Sequence, residues 1–158
     1  MKSPYLMVSI IVCSILIACT GTPGKNAGSG SDGKLITPQN LSEITGIEWN
    51  LMKMTRNNTV IALVKDSQTT FSCAADGNVT GKATLNRYAG SLKLQHDGEI
   101  TWSKAFIMTQ MAGEPELMEQ ETNFSQALVK TSRMYSKESK LILKNQDGST
   151  ILEFEQTK

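Results

Sequence analysis

The 158-residue sequence has no apolar run long enough to span a membrane, which takes roughly 20 residues. The N-terminal run, Leu6–Ile17, has twelve residues and is interrupted by Ser9 and Ser14. Neither sign of charge is in excess, because 16 lysines and arginines face 15 aspartates and glutamates. The chain therefore lacks the basic surplus that binds phosphates, and we predict no nucleic-acid partner.

Side chains that bind metals or attack substrates are also scarce. His96 is the only histidine, and it stands beside Asp97 and Gly98 in a pattern typical of a hairpin turn. A solvated turn residue is favoured over a member of a catalytic triad, because no Gly-x-Ser-x-Gly elbow accompanies it. A zinc site would need further His or Cys ligands. We predict no metal, no cofactor and no enzymatic activity.

Two segments resemble catalytic motifs without meeting their requirements. Residues 77–83, GNVTGKA, have three residues between the glycines where a phosphate loop needs four, and Ala83 replaces the hydroxyl that binds Mg²⁺. A β-turn is the favoured interpretation. A group of acids could suggest paired catalytic carboxylates, but solvated acids are ordinary in the first turns of a helix. These acids are Glu114, Glu116, Glu119 and Glu121.

The end of the N-terminal apolar run carries a processing signal. Leu16-Ile17-Ala18-Cys19 resembles the lipobox of bacterial lipoproteins. The resemblance implies a signal peptide over residues 1–18, diacylglycerol on the Cys19 sulfur and cleavage before Cys19. A secreted protein with a stray cysteine is the alternative, but the bulky residues before Ala18 do not fit an Ala-x-Ala site.

The segment after the lipobox predicts where the protein sits. Thr20 rather than Asp follows the lipidated cysteine, which favours the periplasmic face of the outer membrane in the bacterial cell envelope. Acyl chains such as palmitate would make the membrane a partner through the lipid anchor. Residues 19–40 carry many glycines and serines and are predicted to form a flexible tether. Residues 41–158 then form one domain.

One thiol remains after the predicted cleavage. Cys13 leaves with the signal peptide and Cys19 becomes a thioether, so Cys73 has no partner for an internal disulfide. We expect Cys73 to be a small buried apolar residue. A reactive thiol is the alternative, although no His or Lys stands near it in sequence to lower its pKa.

Strand patterns joined by turn signals fill the first part of the domain. Ile47, Trp49 and Leu51 alternate with polar residues, as expected for a strand with one buried face. The run Val60–Val64 is nearly all apolar, so we expect a strand that is buried on both faces. The predicted strands are 46–54, 59–64, 69–75, 79–86, 90–94 and 100–107.

The apolar period changes after residue 113. Glu114-Pro115-Glu116 is typical of a helix start, and an apolar stripe predicts an amphipathic helix over residues 115–132. A hairpin of residues 140–144 and 150–155 closes the chain. The fold class is therefore α+β, a curled antiparallel β-sheet (β-roll or open barrel) with one packed amphipathic helix.

Three segments in this order resemble the META domain family, which is also called HslJ-like. Residues 46–51, GIEWNL, are similar to its Gly-x-x-Trp-x-Leu opening. Residues 79–90, VTGKATLNRYAG, resemble its Gly-x-x-x-Cys-Asn-Arg-Tyr/Phe-x-Gly signature, and residues 109–113, TQMAG, resemble Thr-x-Met-x-Cys. The resemblance covers about residues 41–154. It implies a small β-roll or barrel with a packed helix, envelope or stress association and no established enzymatic activity.

The sequence departs from the family pattern at two positions. Leu85 and Gly113 stand where the family has cysteines. Their joint loss fits two residues that would pair with each other, so the resemblance implies that a family disulfide is absent here. Any redox role of the family is therefore not expected of this chain.

The expected function follows from the lipobox and the family. We expect a non-enzymatic envelope lipoprotein that contacts an unknown envelope protein in envelope maintenance or stress tolerance. The alternative is a lipocalin-like binder of a small apolar ligand, with a cavity of ~300 Å³ or more lined by aromatic side chains. A filled interior would favour protein contacts. The aromatic residues concerned are Trp49, Phe71, Trp102, Phe106, Phe124 and Phe154.

Overall fold

The structure is a computed structural model that describes residues 32–157. The predicted signal peptide, Cys19 and most of the predicted tether lie outside the described residues. Among residues 32–157, no helix has the length and apolar character needed to cross a membrane.

The described chain consists mainly of short strands, and its one α-helix follows the eighth of them. A 3₁₀ turn at Leu41–Glu43 lies between the first two strands. The elements are β1 (Lys34–Leu35), β2 (Trp49–Arg56), β3 (Thr59–Ile61), β4 (Thr70–Cys73), β5 (Asn78–Lys82), β6 (Arg87–Leu94), β7 (Ile100–Trp102), β8 (Ile107–Met108), α1 (Pro115–Leu128), β9 (Arg133–Lys137), β10 (Lys140–Lys144) and β11 (Ile151–Gln156).

These strands form an open, curled sheet of 11 strands in which neighbouring strands are antiparallel. The order is β1-β9-β10-β11-β2-β4-β5-β6-β7, with β3 added to β2 and β8 added to β6. The sheet curls so that β7, at one end, approaches the residue before β9, near the other end. There the Ile100 amide donates a hydrogen bond to the Ser132 carbonyl at 2.8 Å. The α+β fold predicted from the sequence is confirmed.

Aromatic and aliphatic side chains fill the concave side of the sheet. Helix α1 places Phe124 between Tyr88 of β6 and Phe154 of β11, with ring centroids 5.8 and 6.5 Å apart. Phe71 of β4 lies 5.7 Å from Phe154. Phe71, Phe124 and Phe154 are fully buried. Burial of such rings is the main apolar stabilisation available to a domain of this size.

Several described residues before Leu41, where the sequence predicted the domain to start, pack against the sheet. Strand β1 pairs with β9, and the Ile36 amide donates to the Met134 carbonyl at 2.8 Å. The Ile36 side chain is fully buried, and Asp32 forms an ion pair with Lys144 of β10. The last residues of the predicted tether therefore pack on the domain.

Several elements differ from the sequence predictions; for example, the strand predicted over residues 100–107 is two short strands, β7 and β8. Helix α1 ends at Leu128 instead of residue 132, and β9, which the sequence did not predict, follows at Arg133. The run from Val60 was predicted to be a buried strand, but only Thr59–Ile61 is extended, and Val60 is 60% exposed. It lies at an edge because β3 pairs with β2 alone among the described strands.

Candidate functional site

The residues weighed as catalytic candidates are not brought together. His96 is exposed in the β6–β7 turn, where the Gly98 amide donates to the Gln95 carbonyl at 3.0 Å. Residues 78–82, within the segment compared with a phosphate loop, are strand β5. No three His, Cys, Asp or Glu side chains within residues 32–157 gather in a way that could hold a metal ion.

Cys73 is buried in β4, as the sequence predicted, with 1% of its surface exposed. Desolvation raises the pKa of its thiol from 9.0 to about 11, and the nearby Asp76 charge adds to the rise. Because the thiolate is the nucleophilic form, a thiol with this pKa is unreactive at neutral pH. Cys73 is therefore part of the packing.

Glu121 was predicted to be a solvated helix acid, but this prediction is wrong. The residue is only 9% exposed, and its carboxylate faces the turn between β5 and β6. It accepts hydrogen bonds from the backbone amides of Leu85 (3.0 Å) and Asn86 (2.6 Å), and from Asn86 Nδ2 (2.7 Å). Asn86 in turn accepts from the Met111 amide at 2.7 Å. Buried donors must be paired, so this carboxylate is structural.

Gln120, the neighbour of Glu121 in the helix, is buried as well. Its Oε1 accepts from the Val64 amide at 2.6 Å, and its Nε2 donates to Ser67 Oγ (2.9 Å) and Thr84 Oγ1 (3.0 Å). Thr84 has φ = 98°, a conformation that β-branched residues rarely adopt. Gln120, Glu121, Thr84 and Asn86 form a polar cluster that we call the helix clamp.

An open groove of about 610 Å³ lies along one flank of α1, and we call it the valine groove. One wall is the segment 60–65, which runs from the end of β3 into the following loop and includes Val60, Leu63 and Val64. The other wall is the helix with Glu116 and Glu119. The helix clamp connects the two walls, because Gln120 Oε1 accepts a hydrogen bond from the Val64 amide. The sequence prediction missed this groove, since an uninterrupted apolar run is also typical of a buried strand.

The two walls of the valine groove carry different charges. None of the ion pairs found between described residues includes Glu116 or Glu119. Glu116 lies in the first turn of α1, where the helix dipole favours an acid. Lys65 stands in the opposite wall, and the guanidinium of Arg56 nearby is bound by the amide oxygens of Asn123 and Gln126. The helix wall therefore carries two acids, and the facing wall is apolar apart from Lys65.

Solved structures share this arrangement of strands around one helix. A protein from Burkholderia xenovorans, solved by NMR, is 18% identical, with a TM-score of 0.63, and the match covers 86% of this chain and 99% of that one. A DUF4847 family protein from Bacteroides vulgatus, in a crystal structure, is 12% identical, with a TM-score of 0.53, and covers 74% of this chain and 96% of that one. No curated protein matches the sequence.

The sequence itself also matches a known family. The profile of the META domain matches residues 42–158, which is most of the chain. The curled antiparallel sheet with one packed helix is therefore a META domain fold. The chain belongs to the META domain family, as its three sequence segments indicated.

Proposed function

We propose that this protein is a non-enzymatic, lipid-anchored envelope protein whose META domain binds another envelope protein through the valine groove. Its physiological role would be in envelope maintenance or stress tolerance. Lipidation of Cys19 would hold the domain at the periplasmic face of the outer membrane, and a short tether would leave the groove accessible.

The valine groove itself is the observation that carries this proposal. Val60 is 60% exposed on an edge strand, although a fully buried Val side chain contributes roughly 1.5–3 kcal/mol. An apolar wall facing two unpaired acids fits an amphipathic segment that carries lysine or arginine. The partner is therefore expected to offer a basic, apolar helix or strand.

The two rival functions receive less support. The interior of the sheet, where a lipocalin-like ligand would sit, is occupied by Phe71, Phe124 and Phe154. The buried carboxylate of Glu121 accepts three hydrogen bonds, and the Cys73 thiol has a raised pKa. Both side chains are buried and their contacts hold the fold together, so neither supports an enzymatic function.

Site-specific photo-crosslinking tests the groove. A photoreactive residue at Val60 should give a discrete adduct with one envelope protein in intact cells. The matched control is Met52, which is 52% exposed but lies on β2 outside the groove. Adducts of equal yield from both positions, or none from Val60, would contradict the proposal.

The anchor is tested separately. Cells that express the protein with Cys19→Ser should lose incorporation of a palmitate analogue into this chain. Undiminished labelling of the variant would show that Cys19 is not lipidated, whatever the outcome at the groove.

A further inference from the structure

A second groove, of about 680 Å³, lies on the other flank of α1, and we call it the methionine groove. Three thioether side chains line it: Met108 of β8, Met111 of the following loop and Met118 of α1. Met111 is 59% exposed and Met118 is 45% exposed, whereas Met108 is partly buried. Methionine sulfur was not among the metal ligands considered in the sequence.

The backbone of each of these methionines is held in place. Met108 is paired with Tyr88 of β6, and Met118 lies in the helix, where its amide donates to the Glu114 carbonyl. Met111 is fixed by Asn86, which accepts from the Met111 amide at 2.7 Å and donates to the Met111 carbonyl at 3.1 Å. Methionine side chains are unbranched and flexible, so thioethers on such fixed backbones can adjust their positions around a shared ligand.

The floor of the methionine groove carries negative charge. Glu121 lines it, and no lysine or arginine forms an ion pair with this carboxylate among the described residues. Its three hydrogen bonds come from neutral N–H groups, so its charge is not cancelled. A cation above Glu121 would therefore be attracted, while the neutral thioethers add no repulsion between ligands.

We propose that the methionine groove binds a soft monovalent cation, Cu⁺ or its chemical analogue Ag⁺, through the sulfurs of Met108, Met111 and Met118. Thioethers are soft donors that select Cu(I), whereas carboxylate and carbonyl oxygens suit Mg²⁺ and Ca²⁺. The site is distinct from the valine groove and does not depend on the proposed protein partner.

NMR of the methionine methyl groups tests this site. The probe is Ag⁺, added as the nitrate without chloride to the full chain in detergent, with Cys13, Cys19 and Cys73 replaced by Ser because thiolates also bind Ag⁺. The methyl signals of the three groove methionines should move together and saturate at one equivalent. The matched control is Met52, exposed on β2, while Met54 and Met134 are fully buried. All three should stay unchanged.

Variants identify the ligands. Met111→Leu and Met118→Leu conserve volume and should fold, and each should weaken Ag⁺ binding by about tenfold or more. Met52→Leu should leave the affinity unchanged, and Zn²⁺ should not shift the groove signals. Parallel shifts at Met52, unchanged affinity in both groove variants, or equal shifts with Zn²⁺ would overturn the proposal.

Discussion

The two flanks of helix α1 differ in what they offer to solvent, although both depend on adjacent helix residues. On one flank, Gln120 holds the Val64 amide and so positions the apolar wall of the valine groove. On the other, Glu121 holds Asn86, which holds Met111 in the wall of the methionine groove. Polar residues that are buried beneath a helix can therefore shape two surfaces of different chemistry.

The largest effect on the free energy of unfolding is expected from removing Glu121, the charged residue of the helix clamp. Glu121→Ala would leave the amides of Leu85 and Asn86 without acceptors, and hydrogen bonds to charged groups are the stronger ones. We expect a loss of about 3 kcal/mol or more in the free energy of unfolding, measured by urea denaturation. The control is Glu119→Ala, two residues away on the exposed side, which should change stability by less than about 0.5 kcal/mol. Equal effects would show that the clamp is not structural.

A new disulfide between positions 85 and 113 should stabilise the flank of the domain that carries the methionine groove. A Cβ built on Gly113 would lie 2.7 Å from Leu85 Cδ1, so the two residues are in direct contact. Leu85→Cys with Gly113→Cys removes the obstructing side chain and puts thiols at two positions that are in contact. With Cys73→Ser to prevent mispairing, the pair should oxidise and raise the unfolding free energy by up to about 3 kcal/mol relative to the reduced form. A pair that stays reduced would mean that these positions do not correspond to the family cysteines.

A smaller effect, confined to the other flank, is expected from Gln120→Ala. The variant removes the acceptor of the Val64 amide and a donor to Thr84, both neutral hydrogen bonds. We expect a loss of about 1–2 kcal/mol in unfolding free energy. Hydrogen exchange should become faster at the Val64 amide, while the Met111 amide keeps its protection. Faster exchange at both amides would show that the two flanks are not held independently.

The smallest expected effect is the contribution of Cys73 to the pH dependence of the protein's stability. Burial raises the pKa of this thiol from 9.0 to about 11, so the folded protein retains its proton at pH values where the unfolded chain loses it. The stabilising contribution is complete below pH 9 and declines as the pH rises from 9 through 11. The melting temperature should therefore fall more steeply with pH in the parent protein than in Cys73→Ala. Identical slopes between pH 8 and pH 10.5 would contradict this assignment.

Local patterns in the sequence predicted much of the fold correctly. The hairpin strand 140–144 and the helix start at Pro115 agree with the structure because alternation, turn residues and an N-terminal proline act within a few residues. The end of the helix also involves a distant contact, because the Trp102 indole donates to the carbonyl of Thr131, 29 residues further along the chain. Such contacts have no local signal.

The same reason explains why both grooves escaped the sequence analysis. Glutamate and glutamine in a helix are usually solvated, and the partners of Glu121 lie 35 and 36 residues away. The apolar run that begins at Val60 would be buried only if another element covered it. Helix α1 does not cover this run, because the helix clamp holds it beside the run. The sequence predicted the family and the fold class, whereas the candidate site required three-dimensional structure.

The central claim is that the valine groove binds a basic, apolar segment of another protein. Its most direct test is the yield of the Val60 photo-adduct in the charge-reversed variant Glu116→Lys with Glu119→Lys. The account predicts a loss of the adduct by about tenfold or more. The melting temperature should fall only modestly, because both acids are exposed and only the exchange at Glu116 opposes the helix dipole. The control Glu48→Lys with Glu99→Lys makes the same change in net charge away from the helix and should retain the adduct. An unchanged adduct in the Glu116 and Glu119 variant would contradict the claim.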